Sequence, residues 1–250
     1  MKRFENQVAI ITGGASGIGA GVATRMADEG AHVALFDVSE ADLQEEVARI
    51  KAAGGRASHA VVDIAADEQV RSSIDQVVKD HGQLDILVNS AGIVGPNGTK
   101  AVDYPGDEFE KVLAVNLTGA FLVTKYAISH MLERNYGRIL LISSIGGKEG
   151  NPGMAGYAAS KAGVMGLVKG IGKEYAETGI TVNGLAPAVI LTPMLAQTTP
   201  DMLRYMTDRI PMKRPGEVAE VAALICWICS KEASFNTGFV FDISGGRATY

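Results

Sequence analysis

The sequence predicts an α/β fold in one domain, with a parallel sheet covered by helices on both faces. Short, almost continuously apolar runs alternate with longer helical patterns along the whole chain. Apolar runs of this kind are typical of strands that are buried on both faces, and strand–helix alternation requires right-handed crossovers between parallel strands. The 250 residues suit one large domain, and no linker, repeat or low-complexity tract divides them.

Seven segments are predicted as strands: 7–12, 31–37, 57–63, 84–90, 138–143, 180–186 and 238–244. Helical patterns lie between them, among them 16–29, 40–55, 107–135 and 157–178. The helix at 107–135 begins with an acidic turn, which favours a helix N-terminus. The segment 191–216 contains four prolines and several methionines, and we expect it to form a substrate lid, as long loops in compact domains often do.

Bulk properties exclude several functional classes. The net charge of −5 disfavours nucleic acid and anionic membranes as partners. No apolar run reaches transmembrane length and MKRFENQ is not typical of a signal peptide, so we expect a soluble cytoplasmic protein. Cys226 and Cys229 form a C-x-x-C motif. Redox pairs and half-sites for metals have the same spacing. The apolar surroundings VAALICWICS predict two buried thiols instead, and no metal site is expected.

A glycine-rich segment, TGGASGIG, joins the first predicted strand to the first helix. Gly13, Gly17 and Gly19 permit positive φ and a close approach of a ligand to the backbone. The helix N-terminus then offers free amides and a partial positive charge. The spacing is G-x-x-x-G-x-G rather than G-x-G-x-x-G, and a turn without a ligand is the alternative. Its position between strand and helix favours a dinucleotide diphosphate.

Asp37 ends the second predicted strand. Its carboxylate can accept hydrogen bonds from the adenosine ribose hydroxyls, and it would repel a 2′-phosphate. Ser16 adds no positive charge to the turn, and no Lys or Arg follows Asp37 closely. The pattern therefore indicates NAD rather than NADP. The alternative is an ordinary strand-end acid or helix cap.

Tyr157 and Lys161 are four residues apart in GYAASKAGVMGLV, so a helix would place them on one face. A free tyrosine, with a pKa of about 10, is a poor acid or base at neutral pH. A nearby ammonium and the positive nicotinamide would lower that pKa, as general acid–base catalysis requires. Lys161 would also bind the nicotinamide ribose. The alternative is an amphipathic helix with a core Tyr and a snorkelling Lys.

Two further polar residues accompany this pair. Ser144 follows the fifth strand, and its hydroxyl could hold a substrate oxygen beside the phenol. Asn116 interrupts the apolar pattern KVLAVNLTGAFLV. It would either bond a neighbouring backbone carbonyl or hold a water that links Lys161 to solvent.

Together these motifs resemble the classical short-chain dehydrogenase/reductase family, NAD-dependent type, over essentially the whole chain. TGGASGIG is similar to its cofactor turn, and NSAG at 89–92 to its N-N-A-G element, with Ser90 replacing the second Asn. Asp63 and Ile64 match its adenine pocket. Its catalytic tetrad is matched by Asn116, Ser144, Tyr157 and Lys161. The resemblance implies a single-domain Rossmann fold, with a doubly wound seven-stranded parallel sheet and hydride transfer at the carboxyl ends of the strands.

The resemblance also implies a set of cofactor-binding residues. These are Gly13, Ser16, Gly17, Ile18, Gly19, Asp37, Asp63, Ile64, Asn89, Ala91, Gly92, Tyr157, Lys161, Pro187, Ile190 and Thr192. The family usually has Pro-Gly after the sixth strand, and here APAVILT carries Ala188. We still expect Ile190 and Thr192 to contact the nicotinamide carboxamide.

Family members are usually tetrameric, through the helices at 107–135 and 157–178 and the last strand. The sequence agrees with close helix packing at small residues, namely Ala158, Ala162, Gly163, Gly166 and Gly170. The alternative is that these residues pack against the chain's own sheet.

The substrate is expected to be a small polar secondary alcohol or its ketone. The segments GKEGNP and DISGGRATY are similar to a subgroup that oxidises 2-keto-3-deoxy sugar acids, and Lys148, Lys213 or Arg214 could receive a carboxylate. These charges could equally be solvated. Arg247 and Tyr250 could reach a neighbouring subunit's site. The alternatives are a 3-oxoacyl-thioester (acyl-carrier-protein) reductase using NADPH and a non-catalytic dinucleotide-binding protein.

Overall fold

The computed structural model describes residues 2–192, 195 and 200–248, and it confirms the predicted α/β fold. Its strands are β1 (Val8–Thr12), β2 (His32–Asp37), β3 (Arg56–Val61), β4 (Ile86–Asn89), β5 (Gly137–Ile142), β6 (Ile180–Pro187), β7 (Ile190–Leu191), β8 (Gly216–Glu217) and β9 (Val240–Ile243). Seven of them form one parallel sheet in the order β3-β2-β1-β4-β5-β6-β9, while β7 and β8 pair separately. All seven predicted strands of the main sheet are confirmed, with ends that differ by at most two residues.

The helices are α1 (Gly17–Asp28), α2 (Glu40–Ala52), α3 (Asp67–His81), α4 (Gly106–Leu113), α5 (Gly119–Glu133), α6 (Ile145–Glu149), α7 (Ala155–Glu174), α8 (Pro200–Asp208) and α9 (Val218–Ile228). Alternate residues of β1 enter two different cores, because side chains alternate across a strand. Ile11 packs with α1, α2 and α9, and Ile10 packs with α3, α5 and α7. The sheet is therefore covered on both faces.

The predicted helix at 107–135 is interrupted in the structure. A π-helical turn, Ala114–Thr118, separates α4 from α5. Contrary to the sequence expectation, the helical run Gly106–Glu133 is long and apolar enough to span a membrane by length and composition alone. Half of its most apolar window is buried inside the fold, and buried core helices pass the same test.

The predicted lid at 191–216 is partly described. It includes Leu191 of β7, α8 and Gly216 of β8, while residues 193–194 and 196–199 lie outside the described residues. Cys226 and Cys229 are buried free thiols, as predicted. Burial raises the pKa of Cys226 to about 12 and also raises that of Cys229. Within the described ranges, no group of three or more His, Cys, Asp or Glu is placed to hold a metal ion.

Candidate active site

A cleft of about 490 Å³ opens at the carboxyl ends of β1 to β4. The carboxyl edge of a parallel sheet is where ligands bind in this class of fold. Ten predicted cofactor residues line it: Gly13, Ser16, Gly17, Ile18, Asp37, Asp63, Ile64, Ala91, Gly92 and Thr192. The structure thus brings together segments from five separate parts of the chain.

The glycines of the first turn leave its backbone bare toward the cleft. Gly13 and Gly17 have φ of 63° and 55°, which L side chains rarely adopt. A Cβ on Gly13 would lie 2.8 Å from the Ala91 nitrogen, and one on Gly19 would lie 2.0 Å from the Gly13 oxygen. Gly19 therefore packs helix against turn and does not itself line the cleft. Ser16 is the N-cap of α1, and its side chain makes no capping bond among the described residues.

Asp37 lies where its sequence position predicts, at the end of β2 and on the cleft wall. Its carboxylate accepts hydrogen bonds from the backbone N–H groups of Val38 at 2.8 Å and Ala15 at 3.2 Å. These bonds fix the carboxylate beside the glycine turn. The predicted alternative of a helix cap is wrong, because Ser39 is the N-cap of α2.

Asn89 is buried and is turned away from the cleft. Its Oδ1 accepts a hydrogen bond from the Thr12 hydroxyl at 2.6 Å, and the same hydroxyl accepts from the Ala91 N–H at 3.2 Å. This bond joins the ends of β1 and β4. Asn89 therefore holds Ala91 and Gly92 in the wall of the cleft. Asn89 is not itself among the described residues that line the cleft.

Two other predicted cofactor residues lie behind the wall. Pro187 ends β6 and is buried, and Ile190 is 8% exposed and packs into a core. The described lining of the cleft does not include them. Thr192, in the same segment, does line the cleft, where its Cγ2 lies near Gly17.

Tyr157 and Lys161 lie on one face of α7, as their spacing predicts. The Lys161 Nζ is 5.8 Å from the centroid of the Tyr157 ring and donates a hydrogen bond to the Ile142 carbonyl at 2.9 Å. A Cβ on Gly92 would lie 3.3 Å from that Nζ, so Lys161 borders the cleft wall. Ser144 follows β5, and its Oγ and the Tyr157 Cε1 both lie 3.5 Å from the place of a Cβ on Gly146. Three residues of the predicted tetrad therefore meet beside the cleft.

Burial shifts both titratable groups of this pair toward their neutral forms. It raises the pKa of Tyr157, and the nearby Ser144 hydroxyl opposes that rise. It lowers the pKa of Lys161 to about 8. The expected lowering of the tyrosine pKa by the lysine is thus wrong for the protein chain by itself, because removal of water outweighs the stabilising contacts.

Asn116 lies in the π-helical turn and is buried. Its Oδ1 accepts from the Ile93 N–H at 2.8 Å, and its Nδ2 donates to the Ile93 carbonyl at 2.8 Å and to the Ser160 hydroxyl at 3.0 Å. The backbone carbonyl that it bonds therefore belongs to the loop after β4 and not to its own helix. Both amide N–H groups are in use, so a water between Asn116 and Lys161 would bind the second lone pair of Oδ1.

The cations predicted to receive a substrate carboxylate each have a partner in the chain. Lys148 Nζ lies 2.8 Å from Asp242 Oδ2, and Arg214 pairs with Glu220 at 2.7 Å. Lys213 donates to the Asp208 carbonyl at 2.7 Å. Arg247, which was expected to reach another subunit, pairs instead with Glu149 of its own chain at 2.7 Å. Tyr250 lies outside the described residues.

The sequence analysis missed Lys111 and Val115, which line the cleft from α4 and the π-helical turn. The sequence feature that could have identified them is their spacing of four residues, which places both side chains on one face of a helix. Phe36, Val38, Val62, Ser90 and Ile93 also line it, each within a residue of a predicted site residue.

A family model described as enoyl-(acyl carrier protein) reductase matches residues 13–248. The chain is 41% identical over 249 residues to 2-dehydro-3-deoxy-L-rhamnonate dehydrogenase (NAD(+)) of Sphingomonas sp. (strain SKA58), covering 99% of this chain and 98% of that one. It is 38% identical over 244 residues to a 3-oxoacyl-(acyl-carrier-protein) reductase of Thermotoga maritima (strain ATCC 43589 / DSM 3109 / JCM 10099 / NBRC 100826 / MSB8), with 98% of each chain covered.

Among solved structures, NAD⁺-bound xylitol dehydrogenase matches with a TM-score of 0.93 and 32% identity. The match covers 98% of this chain and 100% of that chain.

Proposed function

The chain belongs to the short-chain dehydrogenase/reductase family of oxidoreductases, and from that premise we propose that it transfers a hydride between NAD and a small polar secondary alcohol or its ketone. The observation that carries the proposal is the meeting of Ser144, Tyr157 and Lys161 beside the cleft at the carboxyl edge of the sheet. The relative from Sphingomonas, at 41% identity, is named for NAD(+) and a 2-dehydro-3-deoxy sugar acid.

The cleft fits a dinucleotide. Its turn has no side chain at Gly13, where a Cβ would meet the Ala91 backbone, and this bare backbone suits a diphosphate. The Asp37 carboxylate beside this turn favours free ribose hydroxyls over a 2′-phosphate. When bound, NAD supplies the acceptor for the hydride. We propose that the predicted cofactor residues lining the cleft make these contacts, while Gly19 and Asn89 shape its wall.

In the proposed reaction, Tyr157 is the acid–base group. For alcohol oxidation the phenolate takes the proton of the substrate hydroxyl as the hydride leaves the carbon, and for ketone reduction the phenol returns it. Ser144 holds the same oxygen. Lys161 binds the nicotinamide ribose, and the positive nicotinamide of the bound cofactor favours the phenolate. Asn116 fixes the loop at Ile93, and its Oδ1 and the Lys161 Nζ lie against the same residue of that loop, Gly92.

The proposed substrate is a 2-keto-3-deoxy sugar acid or a related sugar or polyol. Lys148 and Arg214 are paired with carboxylates, so a substrate carboxylate would have to exchange there with Asp242 or Glu220. Lys213 donates to a backbone carbonyl, and its ammonium has two further N–H groups for a substrate. The first experiment measures NADH formation at mildly alkaline pH with polyols, sugars, hydroxy acids and 2-keto-3-deoxy sugar acids. Turnover of the acids or polyols with NAD supports the proposal.

A second candidate, a 3-oxoacyl-thioester reductase, is favoured by the Thermotoga maritima relative. An acetoacetyl-thioester assay with NADH and NADPH therefore runs beside the panel. Thioester turnover with a strong NADPH preference would replace our proposal with this one. A non-catalytic binding protein would turn over nothing while still binding NADH.

The Tyr157→Phe variant tests the acid–base assignment. We expect turnover to fall to background, because the phenyl ring cannot carry the proton, while NADH affinity measured by fluorescence stays within about twofold. Phe235→Tyr, at a fully exposed position, is the control for effects of expression and purification. A Tyr157→Phe enzyme with a near-normal rate would show that another group moves the proton.

We also propose a cytoplasmic homotetramer. Gly166 and Gly170 on α7 have no described atom within 4 Å of the place of a Cβ, which argues against packing on the chain's own sheet. Exposed Phe121 on α5 and Phe239 beside β9 provide apolar surface on the other expected interface elements. Light scattering on the eluted protein should give four times the chain mass of 26.2 kDa. A monomer mass would contradict the assembly.

A further inference from the structure

The short helix α6 carries the proposed catalytic serine at its start. Ser144 is its N-cap: the Ser144 hydroxyl accepts from the Gly146 N–H at 3.1 Å, and the Ser144 carbonyl accepts from the Gly147 N–H at 2.9 Å. The hydroxyl position therefore depends on where this one-turn helix lies.

Two ion pairs hold the other end of α6. Lys148 Nζ lies 2.8 Å from Asp242 Oδ2 of β9. Glu149 Oε2 accepts from Arg247 Nη2 at 2.7 Å and from Nε at 3.0 Å. The two charges of α6 are therefore each paired with an opposite charge from the segment in and after β9. The side chains of Lys148 and Arg247 are only 12% and 8% exposed, so solvent screens these pairs less than surface pairs.

The flank of α6 lies directly on the proposed catalytic helix. A Cβ on Gly147 would lie 2.7 Å from the Lys161 carbonyl carbon and 2.8 Å from the Ala162 nitrogen. A Cβ on Gly146 would lie 3.5 Å from Tyr157 Cε1. Because the two helices are in backbone contact, a small displacement of α6 changes the place of Ser144 relative to Tyr157.

We propose that the pairs Lys148–Asp242 and Glu149–Arg247 form a clamp that positions the Ser144 hydroxyl beside the Tyr157 phenol. These four are positioning residues, which act on the reaction through Ser144. The inference rests on the proposed function, because it takes Ser144 and Tyr157 as the reacting pair. It gives the charges of the GKEGNP and DISGGRATY segments a role other than substrate binding.

The test uses the NAD-saturated full chain with ¹³Cζ-labelled tyrosine. The Tyr157 signal is assigned with Tyr157→Phe and titrated in wild type, Asp242→Asn, Arg247→Met and the double variant. Among the described residues, Ser144 and Lys161 lie near the Tyr157 ring, and the Asn151 Nδ2 lies at the same point of α6, 2.8 Å from the place of a Cβ on Gly146. Ser144 lowers the pKa of Tyr157, so its displacement should raise the tyrosine pKa in each variant. We expect kcat on the substrate identified by the panel to fall about tenfold, with the KM for NAD within about twofold.

Arg71→Met is the matched control, because Arg71 forms a 2.7 Å pair with Glu68 on the exposed face of α3. Arg247→Lys, which keeps the cation, should restore most of the wild-type titration. An unmoved Tyr157 pKa in the folded double variant would overturn the clamp, even with a lowered melting temperature. The NMR titration does not depend on turnover. If the variants shift the Tyr157 pKa but the wild-type protein is inactive on every substrate of the panel, the clamp is supported and the proposed function is refuted.

Discussion

Lys161 is a buried cation whose pKa is lowered to about 8 by burial. A shift of this size from the ordinary value of 10.5 means that the charged form destabilises the fold at neutral pH. The hydrogen bond to the Ile142 carbonyl offsets only part of that cost. Lys161 therefore lowers the stability of the fold, and we attribute its presence to its proposed role in catalysis.

Replacement of Lys161 by Met should stabilise the protein and abolish turnover. Removing the buried charge should raise the free energy of unfolding at pH 7 by on the order of 2 kcal/mol after the lost hydrogen bond, or about 5 °C in Tm. Thermal melts measure the change. The unfolded chain binds more protons between pH 8 and 10.5, so wild-type stability should rise over that range and the variant's should rise less. Lys169→Met, on the exposed face of α7, is the control, and a lower Tm for Lys161→Met would contradict the prediction.

Most single residues of the site could be predicted, because each follows a strand end or a helical spacing that can be read from the chain. Tyr157 and Lys161 meet for that reason. The direction of the Tyr157 pKa could not be predicted, since it depends on how completely other segments remove water. The pairing of Lys148 with Asp242 likewise joins residues that are far apart in the chain.

At the scale of elements, the turn from β1 to α1 depends on one position with no room for a side chain. Gly19 lies on α1 with its Cα against the Gly13 carbonyl. The helix axis is therefore close enough to the strand end for the first-turn amides to face the cleft. A larger residue would separate the two elements.

Gly19→Ala should destabilise the protein by more than about 2 kcal/mol and weaken NADH binding at least tenfold, because the added methyl would lie 2.0 Å from a backbone oxygen. Urea unfolding and NADH titration measure the two effects. Gly106→Ala makes the same change at a helix start where no described atom lies within 4 Å, and it should be neutral or slightly stabilising. Equal stability of the two variants would contradict the packing argument.

The strands and most helices could be predicted from the period of their apolar residues, while the π-helical turn could not. The residues on either side of Asn116 are mostly apolar, so the sequence pattern does not reveal that the helix contains one wider, π-helical turn at this point. The turn forms because Asn116 bonds Ile93 and Ser160, which belong to other elements.

At the scale of the whole molecule, stability should decrease in mild acid because of a histidine pair formed by the first residue of β2 and the last residue of α3. The rings of His32 and His81 stack with centroids 3.9 Å apart, and the His32 Nε2 lies 3.0 Å from the Ser58 hydroxyl. Burial, followed by the charges of His81, Arg56 and Lys51, lowers the pKa of His32 to about 4.

Between pH 6.5 and 4 the unfolded chain binds the His32 proton and the folded chain does not, so stability should fall as the pH falls through this range. His32 is half-exposed, and the expected loss is on the order of 1–2 kcal/mol after solvent screening. His32→Asn should reduce the difference in unfolding free energy between pH 7 and pH 5, measured in urea. His59→Asn, at an exposed position of β3, should leave it unchanged, and an unchanged difference in His32→Asn would contradict the assignment.

The strand order β3-β2-β1-β4-β5-β6-β9 also determines how the chain can fold while it is being synthesised. β2 adds to β1, β3 to β2, β4 to the free edge of β1, and each later strand to the last one placed. No strand has to be inserted between two that are already paired. At a synthesis rate of roughly 5–20 residues per second, several seconds pass between the synthesis of β1 and that of β4. During that interval one edge of β1 is unpaired, and the growing chain is most exposed to pairing with a neighbouring chain.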